Sequence, residues 1–230
     1  MLTERAIQSA SADRNAGPAG QIGSRFAPRP LKDTFDLIGA PMPFTRNAEI
    51  YGENEPADYF YKVISGSVRT YKVLNDGRRQ IGAFYLPGDV FGFEIGAAHS
   101  FSAEAIGDAR VLVVKRATMT GLAARDNSTG QLLLSLTTRE LARAQAHIML
   151  LVKTAQERVA GFLLEMVDRV AGHNEVDLPM SRQDIADYLG LTIETVSRTL
   201  TLLENSAAIT LPTSRRIVLR NRAALRQLDS

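Results

Sequence analysis

From Phe44 to Lys115 the chain alternates short β-rich runs with turn residues. The runs are Asp58 to Ile64, Ser67 to Leu74, Gln80 to Tyr85, Ser102 to Ile106 and Val111 to Val114. Gly52-Glu53, Gly66, Asn75-Asp76-Gly77, Pro87-Gly88-Asp89 and Gly107-Asp108 stand between them, and the Asp76-Gly77 step between β-formers is a hairpin signal. Many short antiparallel strands at this spacing predict a jelly roll or β-barrel. Around Ser128 the period changes to that of a helix. Gln131 to Lys153 contains no Gly or Pro, and at about 1.5 Å per residue it predicts a helix of roughly 35 Å. Leu134, Leu141 and Ile148, with Thr137, Ala144 and Leu151, approximate an a/d stripe along it. Such a stripe serves equally as the seam between two helices or as a face packed on the roll.

Past this helix the signals are of local capping. Thr154-Ala155-Gln156-Glu157 is a capping-box pattern, which places a hinge and a new helix start at Thr154. Val159, Phe162, Leu163, Met166, Val167 and Val170 give that helix an apolar face, closed by Gly172, and Asn174 to Leu178 forms a strand-like link. Ser181 with Asp184 is a second capping box, followed by Ile185, Tyr188 and Leu189 at helical spacing and by Gly190 at the C-terminus. Thr192 then caps a further helix whose apolar stripe is Ile193, Val196, Leu200 and Leu203. Its outward face carries Glu194, Ser197, Arg198 and Thr201. Two short helices joined by a Gly-containing turn, with small Ala186 where they approach, form a helix-turn-helix. Ala207 to Leu211 and Arg216 to Leu219 read as a β-hairpin, or wing, around Pro212-Thr213-Ser214-Arg215. The expected fold is α+β: an arm over residues 1–30, a β-roll over 31–127, a dimerisation helix over 128–153 and a winged helix-turn-helix over 154–230.

The outward face has chemistry suited to reading DNA. Arg198 offers two parallel donors to guanine O6 and N7, Glu194 can accept from cytosine N4, and Ser197 can hydrogen-bond a base or touch a thymine methyl. Glu194 and Arg198 are also four residues apart, the spacing of an ordinary surface ion pair. Candidates for the DNA backbone are Ser181, Arg182, Thr192, Thr195, Thr201, Arg215 and Arg216. Arg220, Arg222 and Arg226 extend the basic tail, for which a solvated surface is the alternative reading. One reading helix covers about half a site, whereas a two-fold dimer reads two half-sites one helical turn apart. That favours the seam as the role of the long helix's stripe.

Composition narrows the chemistry further. The 230 residues are 45% hydrophobic and 23% charged with a formal net charge of +2, so DNA binding must rest on where the charges lie. There are no cysteines, which removes disulfides, thiol catalysis and any cluster held by cysteine thiolates. His99, His147 and His173 are scattered, and the roll holds only His99, too few ligands for a metal-dependent roll enzyme. His99 is expected in a loop. No phosphate loop, nucleophile elbow or carboxylate pair is present. The expectation is therefore no enzyme, no metal and no cofactor. Neither a signal-peptide core nor a membrane-length apolar run is seen, so a cytoplasmic protein is expected. The Ala-, Ser-, Gly- and Pro-rich first 30 residues carry Arg5, Arg14, Arg25 and Arg29 and read as a mobile arm, before a short helix between Leu31 and Ile38 and a break at Pro41-Met42-Pro43.

Leu-Gly-Leu-Thr-Ile-Glu-Thr-Val-Ser-Arg at 189–198 resembles the recognition-helix signature of the FNR and FixK branch of the CRP/FNR transcription regulators. In the roll, Tyr61-Lys62-Val63-Ile64-Ser65-Gly66-Ser67-Val68, Asp76-Gly77-Arg78 and Pro87-Gly88-Asp89-Val90-Phe91-Gly92 are similar to the corners of the cyclic-nucleotide-binding β-roll. The resemblance implies a homodimer joined by the long helix, reading an inverted repeat of TTGAT-type half-sites through Glu194, Ser197 and Arg198, and touching RNA polymerase where it activates. Members that bind cyclic AMP carry an Arg-Ser pair for the phosphate where this chain has Phe101-Ser102. With no guanidinium there, cyclic nucleotide is not expected; Glu94, near the place of a ribose ligand, is expected in a surface or corner role. The branch's oxygen sensors use N-terminal cysteines, a route closed to this chain. The alternative is a ligand-gated regulator with another small molecule in the roll.

Overall fold

The computed structural model describes residues 34–170 and 174–229. The expected arm with its four arginines, the Gly172 helix end and His173 lie outside the described residues. A short helix α1 (Thr34–Ile38) enters the roll, whose eight strands are β1 (Ala40–Phe44), β2 (Glu49–Tyr51), β3 (Tyr59–Ser65), β4 (Val68–Val73), β5 (Arg79–Tyr85), β6 (Val90–Phe91), β7 (Ser102–Ala105) and β8 (Ala109–Lys115). They form two antiparallel four-stranded sheets ordered β1-β8-β3-β6 and β2-β7-β4-β5. Tyr51, Tyr61, Val63, Val68, Tyr85, Phe91 and Val111 fill the space between the sheets. Five of these strands coincide within two residues with the expected runs. The expected break at Pro41-Met42-Pro43 is instead strand β1. It pairs only with β8 at the sheet edge, where a proline's missing N–H leaves no ladder bond unmade.

Helix α2 (Arg116–Ala123) leads to the long helix α3 (Asn127–Leu151). The latter starts one residue before the expected span of 128–153, ends two residues before its end, and takes Gly130 into its first turn. The reason is Asp126, whose carboxylate accepts from the Ser128 and Thr129 hydroxyls at 2.6 Å each and from the Thr129 N–H at 2.9 Å. Those bonds, from Ser128 first, hold its pKa down to about 2 and satisfy donors that a helix start leaves open. Leu132, Leu133 and Leu136 pack α3 onto the roll beside Phe60, Val114 and Met119. The a/d stripe is left outside: Leu134, Leu141 and Ile148 are 68%, 58% and 61% exposed.

The second half comprises α4 (Ala155–Arg169), β9 (Glu175–Asp177), α5 (Arg182–Leu189), α6 (Ile193–Asn205), β10 (Ile209–Thr210), β11 (Arg216–Leu219) and α7 (Arg222–Asp229). Thr154 and Glu157 close the expected capping box at the start of α4. Val159, Phe162, Leu163, Met166 and Val167 are buried, while Val170 is outside the helix and exposed. The wing hairpin β10–β11 forms as expected and gains β9 as a third strand. Helix α7 went unpredicted: the basic tail folds into a helix anchored by buried Leu225, with Lys153 Nζ reaching Asp229 Oδ1 at 3.0 Å.

Gly190 ends α5 in the left-handed region at φ +62°, donating its N–H to the Ala186 carbonyl. A Cβ there would meet nothing nearer than 3.5 Å, so space is not the constraint and backbone conformation is. Gly190→Ala should lower stability by about 1 to 2 kcal/mol, read by denaturant unfolding at unchanged m-value. A neutral substitution would show that the turn relaxes.

Candidate DNA-binding site

Helix α5 begins at Ser181, whose Oγ accepts from the Asp184 N–H at 3.1 Å, while Asp184 Oδ2 accepts from the Ser181 N–H at 3.0 Å. Helix α6 begins at Thr192, whose Oγ1 accepts from the Thr195 N–H at 3.2 Å. The left-handed turn at Gly190 sets the angle between them. Ala186 is fully buried at their crossing, and Ile185, Tyr188, Leu189, Val196, Leu200 and Leu203 are buried beneath it. Ile193, expected on that stripe, is instead 37% exposed, because it sits in the first turn, ahead of the part of α6 that packs.

The opposite face of α6 presents Glu194 and Arg198, both exposed, with Ser197 half-buried between them. Among the described residues no ion pair joins Glu194 to Arg198, so the surface-pair alternative is not what the side chains do. The Glu194 carboxyl is held below its usual range by its own backbone N–H and the Thr192 side chain, with Arg198 contributing less. It is therefore an acceptor at neutral pH. The Arg198 guanidinium makes no hydrogen bond or ion pair among the described residues, which leaves its donors available.

The backbone candidates separate into three kinds. Ser181 and Thr192 spend their hydroxyls on the caps, so phosphate contact there falls to the first-turn N–H groups. Thr195 shares a 3.1 Å hydrogen bond with Thr192, and Thr201 donates to the Ser197 carbonyl at 3.1 Å. Arg182 turns toward the reading face and donates to Ser197 Oγ at 3.4 Å. Arg215 is exposed and donates to the Pro179 carbonyl at 3.4 Å. Arg216 is engaged otherwise: its Nε meets Glu175 Oε1 at 2.5 Å across the wing sheet. Of the tail, Arg220 bonds Thr210 Oγ1 at 2.7 Å and Arg222 pairs with Asp168. Arg215, Arg216, Arg220 and Arg226 are exposed, so the tail is a solvated surface as the alternative reading has it, with Arg216, Arg220 and Arg222 paired along it.

A second set of residues, not singled out in the sequence, joins the reading unit to the roll. Asp184 Oδ1 takes Arg69 of β4 at 2.9 Å and Arg79 of β5 at 2.5 Å, and Arg79 also reaches Asp187 at 2.7 Å. Arg69 in turn pairs with Glu104 of β7. Burial pushes the Asp184 pKa up, but the Ser181 N–H and hydroxyl together with Arg69 and Arg79 outweigh it and bring it below the usual range. Beside this network, His147 of α3 stacks on Tyr188 at 3.9 Å between ring centroids and meets the Tyr188 carbonyl at 2.8 Å. Phe84 of β5 packs on both Tyr188 and Phe162. Burial pushes the His147 pKa down, against the hydrogen bond to the Tyr188 carbonyl, so the ring is neutral at neutral pH.

The stretch where a cyclic-nucleotide pocket would lie opens on a cavity of about 410 Å³ between the roll and α3. Phe101 lines it and packs against Gly82, where an added Cβ would lie 3.1 Å from the ring. Glu94 is committed to the corner, accepting from the Ser100 N–H at 2.9 Å and hydroxyl at 2.8 Å. His99, expected in a loop, is in one, and it is 1% exposed and stacked on Tyr51 at 3.5 Å. It lies in a loop by backbone, but the Pro56–Ala98 bridge folds that loop onto the roll. No group of His, Cys, Asp or Glu that could hold a metal occurs among the described residues.

Comparison with known proteins agrees with this geometry. Residues 157–228 match the model of the Crp-like helix-turn-helix domain, and residues 41–126 match that of the cyclic nucleotide-binding domain. The nitrogen fixation regulation protein FixK of Azorhizobium caulinodans is 49% identical over 226 residues, 96% of this chain and 86% of that protein. FixK of Rhizobium meliloti is 46% identical over 78% of this chain and 82% of its own length. The structure of FixK2 from Bradyrhizobium japonicum, 51% identical, superposes with a TM-score of 0.81 over 84% of this chain and 98% of that one.

Proposed function

Since the chain belongs to the CRP/FNR superfamily of transcription regulators, we propose that it reads an inverted repeat of TTGAT-type half-sites as a homodimer, without cyclic nucleotide, and activates transcription through RNA polymerase. It is a helix-turn-helix DNA-binding regulator rather than an enzyme. The observation that carries the finer reading is the face of α6. Glu194, Ser197 and Arg198 point away from a buried stripe, with no hydrogen bond or ion pair between the acceptor and the guanidinium among the described residues.

Dimerisation is supported by the exposed Leu134, Leu141 and Ile148 of α3. These three large apolar groups stand at heptad spacing, a pattern that a second copy of the helix would cover, with Ile148 also bordering the cavity between the roll and α3. Thr137 and Ala144 are exposed along the same stripe, and Leu151 is half-buried at its end. Independence from cyclic nucleotide is supported by Phe101, an apolar ring in place of the guanidinium that would pair a phosphate, and by the commitment of Glu94 to Ser100. A cytoplasmic site of action follows from binding DNA, and no helix among the described residues is long and apolar enough to cross a membrane.

A titration of the protein on a TTGAT-N4-ATCAA duplex and on a scrambled control, at fixed salt and with or without cyclic AMP, tests this reading. Selective binding that ignores the nucleotide is the expected result. Selectivity only with cyclic AMP would overturn the role given to Phe101. Absence of selectivity in both would require another site or another ligand in the roll.

A further inference from the structure

Helix α5 ends at Leu189, and a helix leaves its last carbonyls without partners of its own. Here they are met from several directions. The Ala186 carbonyl takes the N–H groups of Gly190 and Leu191. The Leu189 carbonyl accepts from Arg158 Nη1 of α4 at 2.8 Å, while Arg158 Nε holds the Lys153 carbonyl at 2.8 Å. The Tyr188 carbonyl accepts from His147 Nε2 of α3 at 2.8 Å and, at 3.3 Å, from Gln80 Nε2 of β5. Gln80 divides that amide with the Ile81 carbonyl at 3.1 Å, so His147 is the principal donor.

The position of these donors relative to the hinge at 152–154 separates their roles. Arg158 follows the hinge, as α5 does, so its bond to Leu189 survives a swing of the reading unit. His147 precedes the hinge, and its bond does not. Since a carbonyl only accepts, Nε2 carries the proton of the ring. Burial disfavours the charged form more than the Tyr188 carbonyl, Glu165 and the Gly82 carbonyl favour it, so the tie is a single neutral N–H donor. The ring also stacks on Tyr188 with only 7° between planes, which fixes its direction. Tyr188 in turn stands two residues before Gly190, the turn that aims α6. The path from α3 through His147 and Tyr188 to α6 therefore sets where each reading helix stands relative to the helix proposed to join the dimer.

We infer that His147 is a positioning residue for DNA reading, which holds α5 to α3 and so fixes the half-site spacing that the dimer accepts. The inference rests on the DNA reading above, although His147 itself touches no base or phosphate. Adding or removing one base pair between half-sites moves them by about 3.4 Å and turns one about the axis by roughly 35°. Following that change requires a reading unit to swing about the hinge, which breaks the tie. A neutral hydrogen bond opposes the swing by roughly fivefold in population for each protomer that moves.

The test compares binding to TTGAT-N4-ATCAA with binding to the same half-sites separated by three and by five base pairs, and to a scrambled duplex. Wild type should prefer the four-base spacer. His147→Phe keeps a ring against Tyr188 but has no donor, and its preference for that spacer should fall roughly fivefold per swinging protomer. His147→Gln restores an N–H donor and should restore the preference. Loss of packing alone would not produce that pattern. Thermal unfolding checks that the variants fold, and should the larger ring fail to fit, His147→Ala carries the same expectation as His147→Phe. Spacer preference equal to wild type in the donor-less variants overturns the positioning role, as does a His147→Gln that behaves like His147→Phe. A wild type that selects the repeat over the scrambled duplex yet accepts all three spacers equally also overturns it, and leaves the base reading standing. A wild type that does not select the repeat overturns the base reading and the positioning role with it.

Discussion

Arg198→Ala should strip the protein of its preference at one base pair in each half-site and leave its fold intact. The side chain is exposed and unpaired, and α6 is held by Val196, Leu200 and Leu203 on its far side, so truncation removes no packing. On the proposed reading it removes a two-donor fork from the groove-facing side of α6, worth about 1 to 3 kcal/mol of discrimination at each half-site. In a dimer the two losses add, because the half-sites are too far apart to couple. The titration on TTGAT-N4-ATCAA should then show affinity on the repeat reduced by roughly a hundredfold, with the scrambled duplex much less affected. An equal fall on both duplexes would reassign Arg198 to the phosphates. Glu194→Ala is a useful companion, because it removes an acceptor without changing the cap that Thr192 provides.

The reading unit was legible in the sequence because its determinants are local. Capping boxes at Thr154 and Ser181, the Gly190 turn, the Thr192 cap and most of the α6 stripe all rest on residues three or four apart, and each takes the expected geometry. The strands around the Asp76-Gly77 turn were legible for the same reason. Strand β1 was not, since two prolines signal a break unless the strand has only one neighbour, a fact of topology. Helix α7 escaped because its charges suggested a DNA-facing tail, whereas Arg222 turns inward to Asp168 and Leu225 is buried against the domain. His99 illustrates the same limit. Its loop is evident from its neighbours, but its burial against Tyr51 depends on a bridge between distant segments. Above all, the partners of Asp184 could not be seen. Arg69 lies 115 positions away in the chain, and nothing in the spacing of either residue points to the other.

Asp184 is where the largest loss of stability should follow from one substitution. Its two oxygens do different work, one capping α5 through Ser181 and the other holding Arg69 and Arg79 of the roll. Asp184→Ala removes one half of the capping box, leaving the Ser181 cap on the residue-184 N–H, and leaves two guanidinium groups at a buried junction with less than their full complement of acceptors. The expected cost is about 3 to 5 kcal/mol, most of it from stranding charge rather than from losing the pair's net attraction. Asp184→Ala combined with Arg69→Met should therefore be less damaging than the sum of the two changes, because the second removes a charge that the first stranded. The pH dependence gives an independent readout. Since the native carboxyl titrates below its usual range, its contribution is present above the ordinary carboxylate value and is lost as pH falls through the lowered native one. Wild type should lose stability across that acid interval, and Asp184→Asn should be less stable at neutral pH with a shallower acid decline. Denaturant unfolding of these variants as a function of pH decides the matter. If Asp184→Asn unfolds at the same denaturant concentration as wild type at neutral pH, the Asp184 carboxylate contributes nothing to the docking of roll and reading unit, which then rests on the apolar contacts of Ile81, Phe84 and Tyr188 and on the remaining polar ties such as Arg79–Asp187.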